Sequence, residues 1–127
     1  MPVPWTQVRV ALRSLTADVA TWVAGAERQE LGSVATLIAD AHHRFQWVHP
    51  FNDTNGRTGR VLDHFLLWVT FALHGNTRET SPVIEYFPSE REEEEYYEGL
   101  NEADLGRPER LRAFYVARLV AAFDPAG

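Results

Sequence analysis

Residues 33–73 read SVATLIADAHHRFQWVHPFNDTNGRTGRVLDHFLLWVTFAL, and this stretch decides the fold. Ile38, Ala41, Phe45 and Val48 recur at three- and four-residue spacing, which predicts a helix with one apolar face. Ser33 suits its N-cap. Pro50 ends it, because the residue before a proline is pushed out of the helical region. Phe51 to Asn55 is polar and turn-forming. Arg57 to His74 then reads as a second helix, apolar on nearly every side, and a helix of that kind belongs at the centre of an α-helical domain.

Working outward, Val8, Leu12, Leu15, Val19 and Trp22 predict a helix from about Thr6 to Val23. Gly25 and Gly32 bracket the turn after it. Thr77 to Pro88 reads as a loop, with Val83-Ile84 a brief extended piece at most. Ser89-Glu90-Arg91-Glu92 is a capping-box pattern, so a helix begins after Ser89 and ends near Gly106. Pro108 suits the first turn of a last helix reaching about Phe123. The expectation is an all-α fold: residues 1–127 form one compact helical bundle around a central buried helix.

Hydrophobic residues are 45% of the 127, enough for a sizeable core. Cysteine is absent, which removes disulfides and thiolate chemistry and fits a reducing, cytoplasmic setting. The most apolar run, Val61 to Leu73, holds Asp63 and His64 and is too short to span a bilayer. Acids outnumber bases 18 to 12, for a net charge of −6. That balance argues against a nucleic-acid binder, so any anion site must be local.

Such a site is offered by His49-Pro50-Phe51-Asn52-Asp53-Thr54-Asn55-Gly56-Arg57-Thr58-Gly59-Arg60. Amide groups at a helix N-terminus lack internal partners and carry partial positive charge, so the junction seats phosphate. Asn55 and Gly56 let the backbone come close to an anion. Arg57 and Arg60, three apart on the first turn, can fork onto different oxygens. Asp53 supplies a hard oxygen for Mg²⁺, and His49 can accept a proton near neutral pH. The plainer reading has Asp53 and Asn55 capping the helix and the arginines facing solvent. None of the five histidines forms a zinc-helix pattern. His42 and His43 point to different sides of a helix, and His42 is expected to brace the loop from the core.

The stretch resembles the signature of the Fic family, H-P-F-x-[D/E]-G-N-G-R-x-x-R, at every fixed position but one. Ala41 to Phe45, Tyr96 to Leu100 and the N-terminal helix resemble other parts of the same family. The resemblance implies nucleotidyl transfer, with AMP moved from Mg-ATP onto a Ser, Thr or Tyr hydroxyl of a target protein and His49 as general base. It implies Asp53 on the metal; Asn55, Gly56, Arg57 and Arg60 on phosphates; Phe51 as the loop's anchor; and Tyr96, Tyr97 and Asp104 around the base. It also admits a catalytically altered binding module, or an enzyme using UTP, CDP-choline or phosphoryl transfer.

Thr54 stands where the family has its first glycine, as in the Doc-like kinases, which replace the residue at Gly56 with lysine. Keeping Gly56 and Arg60 favours the nucleotidyl reading. The first helix is expected to begin almost at Met1, leaving no room for the family's flap hairpin, so that a partner or an extended target supplies that contact, the natural chain is longer, or the substrate is not an extended loop. Neither Ser81-x-x-x-Glu85 nor Ser89-x-x-x-Glu93 completes the family's inhibitory helix, so any inhibitor is expected on a separate, antitoxin-like chain.

Overall fold

The computed structural model describes residues 5–25, 31–48, 55–73 and 83–123. After a single 3-10 turn, Trp5–Gln7, come α1 (Val8–Gly25), α2 (Leu31–Val48), α3 (Asn55–Leu73), α4 (Glu90–Asp104) and α5 (Glu109–Phe123). They form an all-α bundle, and none of the described residues lies in a strand. Among these residues no helix is long and apolar enough to cross a membrane.

The central helix is α2 rather than α3. It packs against each of the other four, and Val34, Ala35, Ile38, Ala39 and Ala41 are fully buried along it. The alanines explain its place, since small side chains let neighbouring helices approach from several directions. On α3, Asp63, Leu66, Leu67 and Thr70 face inward, while Val61, Phe65 and Trp68 on the other side are exposed. Helical period divides the apolar run into a buried face and an open one. Full burial of Ile38 or Leu67 is worth about 1.5–3 kcal/mol each, and Leu67→Ala would cost about 2–5 kcal/mol.

One helix start and one cap differ from the sequence reading. Helix α2 starts at Leu31, so Ser33 lies inside it and is no cap. Ser89 does precede α4 with extended backbone, but its hydroxyl bonds the Glu92 carboxylate instead of a backbone amide. The other end of α4 closes as a Schellman turn: Gly106 takes φ +80°, its amide donates to Ala103 O at 2.9 Å, and Arg107 N donates to Glu102 O at 3.0 Å. Glycine suits that left-handed position.

Ion pairs set the helices in register. Arg44 of α2 donates to Asp18 of α1 at 2.5 Å and lies over the Trp22 ring. Arg112 of α5 forks onto Asp40 of α2 at 2.9 and 2.8 Å. Arg110 binds Glu95 and Glu98 of α4. Such solvent-screened pairs contribute little to stability, so they select geometry more than they stabilise.

Candidate active site

The twelve-residue motif straddles the end of the described part of α2 and the start of α3. His49, Phe51, Asp53 and Thr54 lie outside the described residues. Asn55 opens α3, and Gly56, Arg57 and Arg60 occupy its first turns. Here the amides that lack an intrahelical partner point out of the helix end. Arg57 is exposed, whereas Arg60 is half-buried.

The side chain of Arg60 folds back along its own helix. A Cβ placed on Gly56 would stand 3.3 Å from Arg60 Nη1 and 3.7 Å from Nη2. The guanidinium therefore sits beside the Gly56 backbone, and two sources of positive potential, the helix end and the cation, meet there. Below it, the guanidinium carbon is 5.9 Å from the Tyr86 ring centre and 5.7 Å from that of Phe87, within cation–π range.

Beneath Arg60 runs a buried polar network. His42 and Asp63 are both fully buried. His42 Nδ1 lies 3.1 Å from Asp63 Oδ1, and its Nε2 lies 2.5 Å from the Tyr96 hydroxyl. The hydroxyls of Tyr86 and Tyr115 each donate to Asp63 Oδ2 at 2.6 Å. Burial pushes all three phenols well above their ordinary pKa, and the Asp63 charge pushes the same way. On Tyr96 the Arg60 charge pulls back without cancelling burial. The hydroxyls thus keep their protons and donate them. A charge buried without partners would cost several kcal/mol; here the carboxylate has three donors.

Close approach of α2 and α3 makes the network possible. A Cβ on Gly59 would meet Gln46 Nε2 and stand 3.0 Å from His42 Cε1. His64, one turn after Arg60, bridges outward: its Nδ1 donates to Arg60 O at 2.9 Å, and its Nε2 accepts from Ile84 N at 2.9 Å. That contact holds residues 83–87 over α3, placing Tyr86 and Phe87 under the guanidinium.

The three residues expected around a nucleobase fall in different settings. Tyr96 is 1% exposed, so its ring belongs to the core and its hydroxyl to the network. Tyr97 is half exposed and stacks on Phe87, with ring centres 6.3 Å apart at 21°. Asp104 accepts from His43 Nε2 at 2.8 Å, further along the same helix. His42 is buried in the core, and His43 pairs with Asp104; the loop that His42 is expected to brace lies outside the described residues.

Asp63, Tyr86, Phe87 and Tyr115 were not singled out by the sequence. Only Asp63 left a signal: a carboxylate inside an apolar helix must have partners. The tyrosines are brought in from 83–87 and α5 by tertiary packing alone.

The model of the Fic/DOC family matches residues 1–67, more than half of the chain. The match takes in α1, α2, the whole motif and α3 as far as Leu67. It therefore contains His42, Gly59, Arg60 and Asp63.

Proposed function

Because this chain belongs to the Fic/DOC family, whose members typically transfer a nucleotide or phosphate group, we propose that it moves AMP from Mg-ATP to a Ser, Thr or Tyr hydroxyl of a target protein. The observation that carries the reading is Arg60, folded against the open backbone of Gly56 at the N-terminus of α3. Phosphate oxygens fit that place: amide donors, a fixed guanidinium and no Cβ to block approach.

In this reading His49 removes the proton from the target hydroxyl as its oxygen bonds to the α-phosphorus. The bond from that phosphorus to the α–β bridging oxygen breaks, and pyrophosphate leaves with its electron pair. Asn55 and the Gly56 amide hold α- and β-phosphate oxygens, while Arg57 and Arg60 take the outer phosphates. Phe51 anchors the loop. Asp53 would hold Mg²⁺, which supplies charge neutralisation on the phosphates when bound; a carboxylate is the hard donor that this cation prefers. Positioning and charge stabilisation are most of what such transfer asks of a protein. The half-exposed Tyr97–Phe87 stack, beside Arg60, offers an aromatic face to the base, with Asp104 further along α4 and Tyr96 buried between them.

The test is mass spectrometry of candidate target proteins incubated with the chain, ATP and Mg²⁺, with UTP and CDP-choline in parallel. An AMP adduct that disappears with His49→Ala is the expected result. A phosphate adduct, a different donor's adduct, or an adduct that survives His49→Ala would each sink the assignment.

A further inference from the structure

We infer that Phe87 is a positioning residue for both ends of the nucleotide: its ring seats the Arg60 guanidinium and steadies the Tyr97 ring that faces the base. The inference deepens the function above and rests on Arg60 holding phosphate and Tyr97 meeting the base.

Residues 83–87 lie in neither helix nor strand, yet three successive residues tie them down. Ile84 N donates to His64 Nε2 at 2.9 Å, Arg118 Nη1 donates to Glu85 O at 3.3 Å, and the Tyr86 hydroxyl donates to Asp63 Oδ2 at 2.6 Å. Two of these bonds reach α3 and one reaches α5. Helix α4 starts at Glu90, three positions after Phe87. The backbone that carries the ring is therefore held on both sides.

The ring itself is wedged against the core. Tyr96 packs edge-on to it, with centres 5.3 Å apart at 68°. The Arg60 guanidinium carbon stands 5.7 Å from the same ring centre, and Tyr97 lies nearly parallel to it at 6.3 Å and 21°. One side chain thus touches both the candidate phosphate ligand and the candidate base shelf.

Only an aromatic ring does both jobs. Its negative face attracts a cation, and the same flat surface stacks on another ring. A leucine would fill much of the space and do neither. Arg60 is long and Tyr97 is half exposed, so each would otherwise lose rotamer freedom on gripping its part of the ligand. Phe87 imposes that order at both ends before the nucleotide arrives, without touching it.

Titration calorimetry on the full chain, with AMP, Mg-ATP and Mg-UTP, separates the two ends. Preference for ATP over AMP reads the outer phosphates. Preference for ATP over UTP reads base stacking, in which the larger purine gains more. Arg60→Ala is expected to lower the first preference alone, and Tyr97→Ala the second alone. Phe87→Leu is expected to lower both, each about fivefold, the scale of one partly exposed cation–π or ring contact. Phe87→Tyr keeps the aromatic face and should leave both near wild type.

A merely structural fault would weaken all three ligands together and leave the two ratios unmoved. That outcome in Phe87→Leu overturns the inference, as does a fall in one ratio only. A fall of both in Phe87→Tyr overturns it too, because the aromatic face is then not the cause. If wild type lacks either preference, or if Arg60→Ala or Tyr97→Ala leaves its own preference intact, the nucleotide reading of those residues falls, and the inference with it.

Discussion

The hydroxyl of Tyr115 donates to Asp63 Oδ2 at 2.6 Å, across 52 positions of the chain. Asp63 and His42 lie in the segment that matches the family, whereas Tyr86, Tyr96 and Tyr115 all come from residues beyond Leu67. Segment 83–87 and the later helices are thus more than a cover for the core. Two of these phenols, on Tyr86 and Tyr115, make a buried carboxylate tolerable beneath the candidate phosphate seat.

Tyr115→Phe is expected to destabilise the fold although it preserves nearly all apolar contact. Losing one of three donors to a fully buried carboxylate should cost roughly 1–3 kcal/mol, read as a lower thermal midpoint. A midpoint equal to wild type would show that the third donor is dispensable.

Gly59→Ala places a methyl group against His42 and Gln46. The imidazole is held at both nitrogens and cannot step aside, so α2 and α3 must part. Overpacking of this kind costs about 1–3 kcal/mol, checked by denaturant unfolding. Gly32→Ala, where a Cβ would meet nothing within 4 Å, serves as the control and should not destabilise.

Thr70 is fully buried on α3, and its hydroxyl oxygen has no hydrogen-bond partner among the described residues. A buried unpaired hydroxyl is costly, and a methyl group of similar shape is not. Thr70→Val is therefore expected to raise stability by about 1 kcal/mol, seen in the same unfolding measurement. A clear loss would mean that the hydroxyl is satisfied after all.

Glu95 has its pKa lowered from 4.5, first by its hydrogen bond from Arg110. A carboxylate depressed in the folded state adds stability above its unfolded pKa and loses it as pH falls through the folded value. Arg110→Ala should return the Glu95 titration, followed by carboxyl NMR, towards 4.5. The thermal midpoints of variant and parent should converge below that pH. A gap that persists in acid would assign the effect of Arg110 to packing.

Several features could be read before any folding. The 3.6-residue period of Ile38, Ala41, Phe45 and Val48 gave α2 its buried face, and all four are buried. Ser89 precedes α4, and Pro108 accepts from Arg112 N at 3.0 Å just ahead of α5; the stop expected at Pro50 lies outside the described residues. The start of α2 escaped because propensity alone does not choose between Leu31 and Ser33. The centre was misplaced because an apolar run shows how much surface wants burial, not which neighbours arrive to cover it; Val61, Phe65 and Trp68 stayed exposed.

Local periodicity and one twelve-residue motif were enough to specify an all-helical chain of this family, since helices and caps depend on near neighbours. The direction in which Arg60 turns, the core rather than surface place of Tyr96, and the pairing of Asp63 with two distant tyrosines were decided by packing. Those relationships join residues 20 to 60 positions apart, and only three-dimensional burial creates the low-dielectric setting in which each donor must find its acceptor.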